Sequence, residues 1–228
     1  MKRRLLLSAV CALAATALQA ETAQAPKKPA KDSVTAPIED VAGLPRVLLI
    51  GDSISMGYTL PVRKLLEGKA NVHRIPENGG PTKNGTAKID KWLGTGKWDV
   101  IHFNWGIHDL KIMQDGKRQV EPADYEKNLR SLVAKMKATG AKLIWATTTP
   151  IPSGKLVPDR QFGQVKEYND IALKVMKEND VAIDDLNTLI TPQLEKLQNP
   201  HDVHYKAEGY QFLAKQVAAQ IEAALPKK

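Results

Sequence analysis

Apolar positions recur along this chain in two different periods. Short runs rich in branched or aromatic side chains stand at Arg46-Val47-Leu48-Leu49-Ile50, Val72-His73-Arg74-Ile75, Asp99 to Asn104, Lys142 to Thr147 and Val181 to Asp184. Each predicts a strand buried on both faces, the pattern of a parallel sheet. Between them the spacing changes to that of helices. Tyr125, Leu129, Leu132, Val133 and Met136 make one apolar face; Val165, Tyr168, Ala172, Val175 and Met176 make a second; Tyr210, Leu213, Ala214, Val217, Ile221 and Leu225 make a third. After the first strand, Pro61 near the start and Val62, Leu65 and Leu66 at helical spacing predict a helix over Thr59 to Gly68. Strands alternating with helices imply right-handed parallel crossovers, so the fold class is α/β with three layers, α/β/α, in one domain over 46–228. Two long connections, 76–85 and 148–160, both follow strands and project from one edge of the sheet, where open α/β sheets carry their sites.

The start of the chain reads differently. Lys2-Arg3-Arg4, an apolar run from Leu5 to Leu18 and then small residues make the pattern of a secretory signal peptide, with cleavage after Ala25 fitting Ala23-Gln24-Ala25. Residues 26–45, with Pro26, Pro29, Pro37, Pro45 and few apolar side chains, read as a flexible linker. The one cysteine, Cys11, falls inside the expected leader, so the mature chain has neither a disulfide nor a thiol for catalysis. The expected location is therefore secreted or periplasmic, with no stable membrane insertion once the leader is removed.

Charge narrows the partners. The formal charge of +8 falls to +6 when Lys2, Arg3, Arg4 and Glu21 go with the leader, and the remaining lysines are spread over every predicted helix. With aromatics at 5% and no basic block interleaved with them, the footprint of a nucleic-acid binder is missing. No nucleic-acid partner is expected, and the expected state is a monomer.

Candidate chemistry begins at Gly51-Asp52-Ser53, at the end of the first strand. Ser53 there is a candidate nucleophile, close to helix N–H groups that stabilise negative charge. The other reading is a helix cap, because both Asp and Ser side chains accept from orphan N–H groups. A serine hydroxyl needs an imidazole to take its proton and an acid to orient that imidazole. His204 and Asp202, in Asn199-Pro200-His201-Asp202-Val203-His204-Tyr205 before the last helix, can supply both. A metal or capping cluster is the alternative use of His201, Asp202 and His204, with His102, His108 and Asp109 as further ligands. No two histidines show the helical spacing of catalytic zinc motifs, so neither a metal nor another cofactor is expected. Ser55 stands where the lipase-type elbow Gly-x-Ser-x-Gly has its second glycine, which argues against that fold.

In four blocks the sequence resembles the SGNH, or GDSL, hydrolases: Gly51-Asp52-Ser53 after the first strand, Gly79-Gly80 after the second, Gly106-Ile107-His108-Asp109 after the third, and His201-Asp202-Val203-His204 before the terminal helix. The resemblance spans most of the mature chain. It implies a flavodoxin-like open parallel sheet of about five strands, and a serine that attacks an ester carbonyl. The oxyanion would be held by the N–H groups of Ser53 and Gly80 and by a block-three side chain. Two positions depart from the family pattern. His108 stands where the family has asparagine, with Asn104 as the other candidate donor. Asp202 precedes His204 by two positions rather than three, which leaves open a serine–histidine dyad oriented by a backbone carbonyl. The edge loops carry Asn78, Thr82, Lys83, Asn84, Thr147, Thr148, Thr149, Ser153, Lys155 and Arg160, polar groups that suit a sugar better than a long acyl chain. The leading expectation is an exported esterase acting on short acyl groups, acetyl first, of a carbohydrate or cell-envelope polymer, with a small-molecule or polysaccharide ester as its partner. A thioesterase or lysophospholipase of the same family, and a non-catalytic glycan-binding relative, are the alternatives.

Overall fold

The computed structural model describes residues 33–226. The expected leader, and residues 26–32 of the expected linker, lie outside the described residues. Five parallel strands form the central sheet: β1 (Arg46–Ile50), β2 (Asn71–Arg74), β3 (Val100–Phe103), β5 (Lys142–Ala146) and β7 (Ala182–Asp184). The helices are α1 (Ser53–Leu65), α2 (Thr82–Leu93), α3 (Pro122–Lys137), α4 (Val165–Glu178), α5 (Leu186–Ile190), α6 (Leu194–Leu197) and α7 (Ala207–Ala224). A small antiparallel ribbon pairs β4 (Lys111–Ile112) with β6 (Gln161–Phe162). Strand order in the sheet is β2-β1-β3-β5-β7. The chain therefore leaves β1 to one side and returns on the other, which makes the ends of β1 and β3 the switch point where such sheets bind ligands.

Because successive strand residues face opposite ways, the sheet divides the core in two. Leu48, Ile50, Ile101, Phe103, Leu143 and Trp145 pack under α2, α3 and α4. Val47, Leu49, Val100, Ile144 and Ala146 pack under α1 and α7. The expected helical faces are the buried ones: Tyr125, Leu129, Leu132, Val133 and Met136 on α3, and Tyr168, Ala172, Val175 and Met176 on α4. Among the described residues no helix is long and apolar enough to cross a membrane.

Three local expectations change. Helix α1 starts at Ser53 rather than Thr59, because the Asp52 carboxylate accepts the Ile54 N–H at 2.9 Å and caps it there, leaving Pro61 inside the helix. The connection expected over 76–85 ends early, since α2 starts at Thr82, whose N–H and hydroxyl both donate to the distant Asp109 carboxylate. The β4–β6 ribbon and the short helices between 186 and 197 have too few residues to show a period. Residues 40–45 are tied to the domain: Asn71 donates to the carbonyls of Val41 and Leu44 and accepts the Val41 N–H at 2.8 Å, while Asp40 pairs with Arg46.

Candidate active site

Strand β1 delivers the chain to Gly51, and the turn that follows is held from beneath by a buried cation. Arg74, at the end of β2 and 8% exposed, donates to the Gly51 carbonyl at 2.9 Å, to the Asp52 carbonyl at 3.1 Å and to Ser55 Oγ at 2.6 Å. No carboxylate lies within ion-pair distance of it among the described residues. Burial lowers its pKa to about 10, although the nearby Tyr58 and Asp52 act the other way. The guanidinium thus adds a second donor to turn carbonyls that already accept backbone N–H groups, from Gly79 at Gly51 and from Met56 at Asp52. Asp52 is the cap and Ser53 the first helical residue, so each candidate reading of this motif belongs to a different side chain. The Ser53 N–H, at the first position of α1, has no acceptor among the described residues.

Across the rim, Ser53 Oγ lies 2.9 Å from His204 Nε2. His204 Nδ1 faces both oxygens of Asp202, at 3.0 and 2.9 Å. With a carboxylate as its partner Nδ1 carries the proton, which leaves Nε2 free to accept from the Ser53 hydroxyl. Two residues of separation suffice because the loop is pinched. Gln198 and Tyr205 form an antiparallel bridge, the Asn199 N–H donates to the His204 carbonyl at 2.9 Å, and His201 turns through the left-handed region at φ 58°. The ring of His204 meets a carboxylate, so no backbone carbonyl is needed to orient it. Asp202 also accepts from the Val203 N–H at 2.7 Å and from Arg160 Nη2 at 2.6 Å. Burial raises the pKa of this carboxyl, but the bonds from His204, Arg160 and Val203 outweigh it and the net shift is downward.

The remaining candidates separate. Asn104 spends its amide on the Ala146 carbonyl, at 2.7 Å, and on Thr148 Oγ1, at 3.3 Å, so it braces β3 against β5 and has no N–H left for an oxyanion. His108 is half-buried in the turn after β3, and its ring forms no hydrogen bond among the described residues. Gly106 precedes it at φ 155°, and a Cβ there would lie 2.1 Å from Thr148 Oγ1, so the close approach of this turn to β5 requires glycine. Gly80 is in the left-handed region at φ 58°, and its N–H donates to Asn78 Oδ1 at 2.9 Å. His102 is remote from any ligand role, being fully buried against Asp184 at 3.0 Å under α1 and α7. Among the described residues no three His, Cys, Asp or Glu side chains gather as metal ligands.

Several polar groups expected to face a substrate are used internally. Thr82 binds Asp109 and Asn128; Thr147 binds Asp185 and the Asn187 N–H; Thr148 binds Asn169; Arg160 binds Asp202. Asp109, fully buried beside His108, thereby fastens the block-three turn to the start of α2, just after Gly80. Burial pushes its carboxyl up to about 7, against the bonds from Thr82. A cleft of about 920 Å³ opens beside this rim, between the 150–164 segment, α4 and the start of α5, with Arg160 in its wall. Arg74 and the pairing of Arg160 with Asp202 were missed by sequence reasoning. A basic side chain near the end of a short predicted strand, and an acid at an unusual spacing, were the available signals.

Residues 49–212 match the model of the GDSL-like Lipase/Acylhydrolase family. Similar solved structures include a lipase/acylhydrolase from Enterococcus faecalis, 22% identical with TM-score 0.69, covering 81% of this chain and 99% of that one. They also include the acetyl xylan esterase AlAXEase, 17% identical with TM-score 0.66 over 77% of this chain and 99% of that one. A third is Axe2, an acetylxylan esterase from Geobacillus stearothermophilus, 21% identical with TM-score 0.63 over 78% of this chain and 94% of that one. No curated protein matches the chain.

Proposed function

The chain belongs to the GDSL-like lipase/acylhydrolase family, making it a serine ester hydrolase, and from that premise we propose that it is an exported esterase removing short acyl groups, acetyl first, from a carbohydrate or cell-envelope polymer. The observation that carries the chemistry is the continuous relay from Ser53 Oγ through His204 to Asp202, with contacts of 2.9 Å on either side of the ring. In this reading Ser53 attacks the ester carbonyl as its proton passes to His204 Nε2, and Asp202 stabilises the imidazolium that forms. The oxyanion is received by the Ser53 N–H, by the ring N–H of His108, and by the Gly80 N–H once it exchanges Asn78 Oδ1 for the stronger acceptor. His204 then protonates the leaving alcohol, water replaces it, and the same imidazole activates that water to release the acid and restore Ser53.

Support for a short acyl group comes from the fold relatives. Two of the solved structures similar in fold are acetyl xylan esterases by name. The predicted leader supports export. The test is release of p-nitrophenol from the acetate and from esters of eight or more carbons. Wild type should favour the acetate, and Ser53→Ala should lose roughly 10⁶-fold in kcat, as expected when a serine nucleophile is removed. Equal rates from the two proteins would overturn the mechanism, and preference for the long chain would overturn the substrate class.

A further inference from the structure

We infer that Arg160 is a positioning residue for the triad acid, a part supplied by the loop between β5 and β6 to fix a carboxylate that stands only two residues before its histidine. The inference rests on the Ser53–His204–Asp202 reading above. Asp202 Oδ1 receives three donors, Arg160 Nη2 at 2.6 Å, the Val203 N–H at 2.7 Å and His204 Nδ1 at 3.0 Å, while Oδ2 receives His204 alone at 2.9 Å. The Val203 and His204 donors belong to the same short loop as the carboxylate and move with it. Arg160 is the one donor to this carboxylate anchored elsewhere, and so the one that ties the carboxylate itself to a second segment.

The anchorage is built for this. Arg160 immediately precedes β6, whose Phe162 and Gln161 pair with Lys111 and Ile112 of β4, and the Gly163 N–H donates to the Leu110 carbonyl at 2.8 Å. The same segment reaches the triad loop a second time, through the Val157 N–H on the His201 carbonyl at 2.8 Å. Leu156 packs with Val203 and with Ile107 of the turn after β3, with Ile151 and Phe162 against them. One small apolar cluster therefore joins the Arg160 segment, the acid–base loop and the turn carrying His108. The side chains of Arg160 and Asp202 are 21% and 26% exposed, shielded enough for the pair to act more strongly than one in open solvent.

The charge matters as well as the position, since the guanidinium is among the groups that hold the Asp202 carboxyl below its usual range.

The experiment compares wild type, Arg160→Gln, Arg160→Lys, Asp202→Asn, Ser53→Ala and the Arg160→Gln/Asp202→Asn double variant on p-nitrophenyl acetate between pH 5 and 9. Arg160→Gln should lower kcat about 10-fold, the worth of one charge-assisted hydrogen bond, with KM within about twofold. Arg160→Lys should recover most of kcat, and Arg160→Gln should add nothing once Asp202 is Asn. Wild-type kcat in Arg160→Gln would overturn the inference. So would a loss that lysine does not rescue and that recurs in full without the carboxylate, for then Arg160 merely braces the loop. Turnover by Ser53→Ala equal to wild type would instead sink the triad reading itself, a result that no Arg160 variant can imitate.

Discussion

Ser53 and His204 meet at 2.9 Å, yet the protein holds the two sides of that contact by different means. Ser53, the proposed nucleophile, sits between regular elements: β1 pairs on both sides in the sheet, α1 packs on α7, and a buried arginine donates to the carbonyls of the turn between them. His204 and Asp202, the proposed base and acid, sit on an irregular loop closed by one bridge. Beside them, a second irregular segment lends Arg160 and Leu156, which packs with Val203 of the loop itself and with Ile107. The first side is part of the core, and damage there should be felt by the whole fold. The second is half-buried and locally tied, so damage there should be felt mostly by the chemistry.

The largest effects test whether the base side is catalytic at all. His204→Ala should reduce kcat by about 10⁶ on p-nitrophenyl acetate while leaving the urea unfolding midpoint close to wild type. Asp202→Asn should cost less, roughly 10⁴ in kcat, because the imidazole remains but loses its preferred tautomer. Equal losses from the two would mean that the acid contributes as much as the base and that its short spacing carries no penalty. Next comes the nucleophile side. Arg74→Met removes one donor from each of two buried carbonyls, which keep the Gly79 and Met56 N–H groups, and the donor to Ser55 Oγ, and should lower unfolding stability by about 2 kcal/mol in a urea titration. Arg160→Gln in the same titration should lose under about 1 kcal/mol. Comparable stability losses would erase the distinction between the two sides.

Asp109 belongs to neither side but ties together the loops that bear Gly80 and His108. Its carboxyl titrates near pH 4 in the unfolded chain and at about 7 when folded, mainly through burial. Between those values the folded state binds the extra proton, so stability falls as pH rises from about 4 to about 7 and is level beyond. Asp109→Asn should flatten that slope in urea midpoints measured from pH 4 to 8. An unchanged slope would place the titration on another group.

The layered architecture was legible because burial repeats. Val47 and Leu49 against Leu48 and Ile50, or Tyr125 through Met136, write their environment into a period that needs no partner to be read. Ser53, His204 and Asp202 were nominated for another reason, their places in blocks that resemble those of the SGNH hydrolases, and the fold brings Ser53 and Asp202 to opposite nitrogens of the His204 ring. What no period announces is the partner of a single polar side chain. Whether Asn104 points to an oxyanion or braces β5, and whether Arg160 faces a substrate or the triad acid, depends on which distant backbone comes within 3 Å. A hydrogen bond depends on distance and angle between groups that the fold alone brings together, so the chain determined its layers and its reactive residues by itself. Only the tertiary structure decided what holds those residues in place.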